Sequence, residues 1–273
     1  MAELKIDSSS IDSIQRRTYE AIARVASERQ VPFIIVGASA RDLVMHHGYK
    51  ARIQRATRDI DLAVQVEDWE AFEAIKSSLM AEGYRQTKIT HRLVDDCNIP
   101  LDIIPFGPLE SASARIEWPG DPSEMHVMGF KEALEHADHV IVDSQPPFEL
   151  SVASPVGLAI LKLVAWSERE PRVRRKDAAD FIYLLDNYDK IPAIADRLYG
   201  EHAGILEIYE WDTRFAGAHV LGLDVASIAE ARTLSYLRYR LDVESAERLC
   251  IDAGSDPADI NESLVSAFRR GMK

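Results

Sequence analysis

Residues 59 to 66 read Asp-Ile-Asp-Leu-Ala-Val-Gln-Val, so in an extended chain Ile60, Leu62, Val64 and Val66 point one way and Asp59, Asp61, Ala63 and Gln65 the other. Such alternation describes a strand buried on one face only. It demands a sheet with a core on one side and an open face carrying two carboxylates. Upstream, Phe33-Ile34-Ile35-Val36 is an aromatic and β-branched run that stops at Gly37, and Ser39 to His47 reads as a short helix. The local order is therefore strand, glycine turn, helix.

Apolar residues at helical spacing predict a helix from Ser10 to about Gln30, with Ser10 or Asp12 as its cap, and Asp68 caps another that runs to about Glu82. Tyr84 to Phe106 reads as two strands joined near Asp95-Asp96-Cys97-Asn98, the second being Leu101 to Pro105. A Pro- and Gly-rich stretch from Gly107 to Gly129 precedes a helix near Lys131 to Ala137 and a short strand, His139 to Val142. Ser154-Pro155 opens a helix, serine as cap and proline in the first turn, and nearly everything from there to Lys273 is helical in pattern. The expected fold class is α/β: a mixed β-sheet with flanking helices over residues 1-150, followed by a helical C-terminal domain over residues 151-273.

No apolar run approaches the roughly 18 residues that span a bilayer, and the charged N-terminus lacks the apolar core of a signal peptide, so a cytoplasmic protein with no membrane association is expected. Cys97 and Cys250 stand far apart without CxxC or zinc-type spacing; both are expected to be small buried hydrophobes. A formal net charge of -13 argues against binding nucleic acid through the whole surface. Two segments run against that charge. Lys50, Arg52, Arg55 and Arg58 precede the carboxylate strand with no acid between them, and Arg169, Arg172, Arg174, Arg175 and Lys176 crowd an expected loop between two helices. Together they read as a rim that binds phosphate.

An acid-x-acid pair is cheap, because a chain this acidic contains roughly seven by chance. Its weight comes from order: Gly37-Ala38-Ser39 after one strand, Asp59 and Asp61 on the next, and Asp102 on a later one, bracketed in alternation by Leu101 and Ile103. In-line displacement at a phosphorus is served by two magnesium ions about 3.5 to 4 Å apart that clamp the attacking and leaving oxygens. Magnesium takes hard oxygen ligands, so two carboxylates at strand period plus a third from a neighbouring strand suit it. Asp59 and Asp61 are the expected ligands of a triphosphate-bound ion; Asp102 completes a second metal position and helps deprotonate the attacking hydroxyl. The amides after Gly37 and the Ser39 hydroxyl are expected donors to the phosphates. Lys162 is the only charge between Val156 and Trp166, and a buried ammonium needs an anion, either a triphosphate or a site carboxylate, unless it snorkels to solvent. Asp177 and Asp180 share one side of the next helix, placed to position Lys162, to touch ribose or metal, or simply to be a solvated helix start.

The order Val36-Gly37-Ala38-Ser39, then Thr57-Arg58-Asp59-Ile60-Asp61-Leu62, then an isolated strand aspartate resembles the polymerase-beta nucleotidyltransferase superfamily. Within it, Arg55-x-Thr57-x-Asp59-Ile60-Asp61-Leu62-Ala63, with Leu161-Lys162-Leu163 and Arg175-Lys176-Asp177-x-x-Asp180 downstream, is similar to the AbiEii toxin branch. Ala38 stands where a second Gly or Ser is usual, and is small enough to keep the turn. That branch comprises toxins of type IV toxin-antitoxin systems that use nucleoside triphosphates, in some cases to modify the acceptor end of tRNA. The resemblance implies Mg2+-dependent transfer of a nucleoside monophosphate to an acceptor hydroxyl, with tRNA as candidate acceptor and a cognate antitoxin as candidate partner. By its motifs Asp59, Asp61, Asp102 and Lys162 are catalytic, and Gly37, Ala38, Ser39, Arg58, Lys162, Asp177 and Asp180 bind nucleotide. Two other readings share these residues. One has a small aminoglycoside-like acceptor held in an acidic pocket of the C-terminal helices, and the other a non-catalytic relative that binds nucleotide or a protein partner.

Overall fold

The computed structural model describes residues 2–54, 57–120, 123–254 and 258–273, with 258 and 259 described by their backbone alone. The chain divides into two compact units, Met1–Ser154 and Pro155–Lys273. As the alternation demands, the first is built on a mixed sheet, and the second is helical.

In the first unit the elements run β1 (Glu3–Asp7), α1 (Ser13–Arg29), β2 (Phe33–Val36), α2 (Gly37–Arg41), which continues as a π-helical stretch Asp42–Gly48, then β3 (Ile60–Gln65) and α3 (Trp69–Ala81). There follow β4 (Arg85–Gln86), β5 (Arg92–Val94), β6 (Pro100–Phe106), the hairpin β7 (Arg115–Glu117) and β8 (Glu124–His126), α4 (Phe130–Glu135), β9 (Asp138–Asp143) and β10 (Phe148–Val152). Among the described residues, eight strands form one sheet in the order β1-β9-β10-β2-β3-β6-β5-β4. Neighbours β1/β9, β10/β2 and β3/β6 are parallel and the rest antiparallel.

Local chemistry sets the element ends. Asp12, rather than Ser10, caps α1 by accepting from the amides of Ile14 and Gln15, and Asp68 caps α3 by accepting from Ala71. Leu62 and Val64 of β3 meet Ile22 and Val25 of α1 and Ile75 and Leu79 of α3. Each such side chain taken from water contributes about 1.5–3 kcal/mol, and this face anchors the strand. The region expected as two strands is three, because Thr87 to His91 turns the chain between β4 and β5. The Pro- and Gly-rich stretch holds the β7/β8 hairpin. Cys250 is buried as expected; Cys97 is exposed, because it sits on the turn where Asp95 accepts from the amides of Cys97 and Ile99.

His47 closes the π-helical stretch with its Nδ1 3.1 Å from Ser10 Oγ. Burial, then His46 and Lys50, push its pKa down from 6.5 to about 4. A depressed folded value means that the neutral ring stabilises the fold fully above pH 6.5 and that this contribution is lost as pH falls toward 4. Thermal melts should therefore show native protein losing Tm relative to His47→Gln across that window, with a constant difference above it. Parallel curves throughout would remove His47 from the acid response.

The helical unit comprises α5 (Pro155–Glu168), α6 (Pro171–Asn187), α7 (Pro192–Tyr199), α8 (Ala203–Ile208), α9 (Thr213–Ile228), α10 (Ala231–Arg240), α11 (Val243–Ala253) and α12 (Ala258–Gly271). Helices α9 and α12 pack backbone to backbone: a Cβ on Gly222 would fall 2.2 Å from the Phe268 carbonyl oxygen, and one on Gly271 2.0 Å from that of His219. Phe181 of α6 meets Phe268 edge to face at 5.1 Å beside this crossing. Arg172, Arg174, Arg175 and Lys176, expected in a loop, lie inside α6: Pro171 presets the first helical turn after an extended Glu170, so the link shrinks to Arg169 and Glu170. Among the described residues, no helix is long and apolar enough to cross a membrane.

Candidate functional site

Strand register lines up the acidic residues. Val36 of β2 pairs with Asp61 of β3, Asp61 with Asp102 of β6, and Asp102 with Arg92 of β5. Residues abreast in a sheet project to the same face, so these four form one row across four strands. Asp59 precedes β3 by one residue and is exposed, while Asp61 is half-buried. Asp102 is gripped at both oxygens: Arg92 Nε donates to Oδ1 and Nη2 to Oδ2, each at 2.6 Å. Those hydrogen bonds hold the Arg92 guanidinium above its ordinary pKa against the cost of burial, and the charges of Asp102, Asp59 and Asp61 add to the effect.

Gly37 follows Val36 directly and adopts φ +71, the left-handed region that favours glycine. A Cβ built there would lie 1.9 Å from Asp61 Oδ2. The carboxylate thus occupies the space a side chain at position 37 would take. Ala38 is buried, and the Ser39 hydroxyl donates to the Val36 carbonyl oxygen at 3.2 Å and lies in hydrogen-bonding contact with Tyr19. Burial pushes the Tyr19 hydroxyl well up. The Ser39 hydroxyl is therefore engaged within the turn, which leaves the backbone amides as the turn's remaining donors. Gly37→Ala is expected to cost about 1–2 kcal/mol of stability for the left-handed backbone. Because the new methyl displaces the Asp61 carboxylate oxygen by an ångström or more, transfer is expected to fall by about 10²-fold. Melting and initial rates on one preparation check both, and a variant with native rates would dissociate the turn from the reaction.

The second set of expected residues gathers within the helical unit. Lys162 of α5 is 8% exposed. It donates to Asp177 Oδ1 at 3.2 Å and lies 2.8 Å from Asp180 Oδ2. Arg169 takes the other Asp177 oxygen at 2.7 Å. Both acids are buried rather than part of a solvated helix start, and they, not solvent, meet the Lys162 ammonium. Arg174 pairs with Asp252 at 2.6 Å. That leaves Arg172, Arg175 and Lys176, at helical spacing on one exposed face of α6. In the other basic segment Arg58 is exposed beside Asp59, Lys50 donates to the His47 carbonyl, Arg52 is partnered, and Arg55 lies outside the described residues.

A family model described as "Nucleotidyl transferase AbiEii toxin, Type IV TA system" matches residues 20–258. The chain belongs to the AbiEii nucleotidyltransferase toxin family. As a member of that family it is a nucleotidyltransferase. Among solved structures it is similar to the antibiotic-resistance factor ANT(2'')-Ia in solution, at 17% identity and TM-score 0.39, over 73% of this chain and 99% of that one. It is also similar to the Thermotoga maritima CCA-adding enzyme complexed with tRNA, at 12% identity and TM-score 0.27, over 96% of this chain and 81% of that one. No curated protein matches the sequence.

For an AbiEii nucleotidyltransferase the donor set of the row suits a hard divalent cation: carboxylate oxygens from adjacent strands, with Asp61 seated in the space left by Gly37. Asp95, Asp96 and Cys97 also bring ligand atoms within 4.8 Å of one another, but the Asp95 carboxylate already serves its own turn. Arg92 escaped the sequence reading. Its partner is ten residues away across a strand pair, and the only local signal was an arginine in a short apolar run.

Proposed function

We propose that this AbiEii member moves a nucleoside monophosphate from a nucleoside triphosphate to a hydroxyl on an RNA, with tRNA as the expected acceptor and growth inhibition as the outcome. The observation that carries this reading is the register row of Asp61 and Asp102 beside the Gly37 turn. Magnesium, held by Asp59 and Asp61 with Asp102 alongside, supplies positive charge to the triphosphate when bound. The amides that open α2 donate to phosphate oxygens, and Arg58 adds a cation at the rim. Asp102 accepts the proton of the attacking hydroxyl on a lone pair that Arg92 leaves unused, since each carboxylate oxygen carries two. The hydroxyl oxygen bonds to the α-phosphorus as the bond to the bridging oxygen breaks, and pyrophosphate leaves. The family association also makes a cognate antitoxin the expected partner.

An RNA acceptor is favoured over a polycationic small molecule by Arg172, Arg175 and Lys176, an exposed basic face on a chain of net charge -13. Purified protein incubated with labelled triphosphates, magnesium and total RNA should label RNA. Reversing all three cations to glutamate should weaken RNA binding and lower the slope of log affinity against log salt by about two to three. An unchanged slope would return the acceptor to the small-molecule class.

A further inference from the structure

We propose that Gln15 and Arg41 are positioning residues: together they pin the irregular stretch that carries Arg58, so that this cation is set for the triphosphate before it arrives. The inference rests on the proposed nucleotidyl-transfer reading, in which Arg58 is a rim cation. Between Tyr49 and Asp59 the described residues belong to no helix or strand, so no backbone ladder fixes them. Side chains from elsewhere take that part. Arg41 of α2 is 1% exposed, and Asp42 Oδ1 holds its guanidinium by accepting from Nε at 3.0 Å and from Nη2 at 2.7 Å. From that fixed fork Nη1 donates to Gln54 Oε1 at 3.2 Å. Further along, Gln15 of α1 donates from Nε2 to the Thr57 carbonyl oxygen at 3.0 Å, next to Arg58.

The two ties start from different helices and both land just before Arg58. Arg41 closes the short helix that Gly37 opens, so its tie to Gln54 joins the glycine turn to the Arg58 stretch. A segment without a ladder loses conformational freedom when it closes on a ligand, and that loss weakens binding. Ties made in advance remove it from the binding step. The carboxylate row has separate support, since Ile60 pairs with Leu101 and Asp61 with Asp102, and slackening the stretch leaves those strands in place. A cation that holds the triphosphate alike in ground and transition state changes KM and not kcat. Loosening Arg58 is therefore read in KM for the triphosphate alone.

Gln15 is half-buried and Gln54 exposed, so Gln15→Ala/Gln54→Ala cuts both ties without opening the core. Initial rates of RNA labelling, read against triphosphate concentration, should give this protein a KM raised about tenfold, a kcat within about twofold of native and a native melt. Arg58→Ala should raise KM at least as much. Adding the two glutamine changes to Arg58→Ala should raise it no further, because a tie acts only through what it holds. A KM within about twofold of native overturns the proposal, as does a fall in kcat in place of the change in KM, or a rise in KM that recurs in full once Arg58 is alanine. Should the double variant not melt like native protein, Gln54→Ala at its exposed position is read by the same criteria, with a rise of about threefold expected. Failure of the underlying reading looks different: no triphosphate-dependent labelling of RNA by native protein, or Arg58→Ala with the KM of native protein.

Discussion

Asp61→Asn protein is expected to fold normally and to transfer nucleotide about a thousandfold more slowly, a loss of about 4 kcal/mol in transition-state stabilisation. Asparagine copies the shape of the side chain that lies over Gly37, so the turn and the Val36 pairing survive. What disappears is a negative charge and the oxygen proposed as a metal ligand in the middle of the row. Because the side-chain volume over Gly37 is kept, the melting temperature should stay within a few degrees of native. Initial rates and melts on the same sample test the pair of statements. A variant within tenfold of native would move the chemistry away from this strand.

Lys162→Met should act in the opposite sense, on stability first. Asp177 is 1% exposed and Asp180 fully buried, and the ammonium faces both. Removing one partner of a buried ionic cluster costs about 3–5 kcal/mol, because the remaining charges have no solvent to turn to. Arg169 still reaches Asp177, but that side chain is half exposed. A fall of roughly 10 °C or more in melting temperature follows for a chain of this size. Neutralising the acids as well, in Lys162→Met/Asp177→Asn/Asp180→Asn, should restore most of it. If the triple variant melts as low as the single one, packing of the lysine stem rather than unpaired charge is the cause.

The parts of this molecule that were readable without coordinates are those whose physics is local. Alternation from Asp59 to Val66 predicts β3, leucine and isoleucine on either side of Asp102 predict its place on β6, and the caps at Asp12 and Asp68 announce α1 and α3. Pairings that join distant segments left no such trace. Strand β1 is a five-residue stretch whose partner, β9, lies more than a hundred residues on, and β10 follows a Pro-Pro turn in a segment with no clear pattern. Lys162 illustrates the boundary well. Burial and the need for an anion could be read from its apolar neighbours, but which anion depended on how α5 packs on α6. Arg92 is the limiting case, since its meaning exists only in the register of β5 on β6.

That register also determines what kinds of genetic change the enzyme can absorb. Because side chains alternate across a sheet, inserting or deleting one residue within β3 or β6 would turn that strand's aspartate of the row into the core and its core aliphatics outward. Substitutions along these strands can be graded and tolerated one by one, whereas a single-codon length change there is an all-or-none event. Lineages that drift from this sequence should therefore vary more readily in residue identity at half-buried Gln65 than at fully buried Ala63, while keeping the spacing from Gly37 into β3, and from β5 into β6, under much tighter restraint in the strands than in the loops between them.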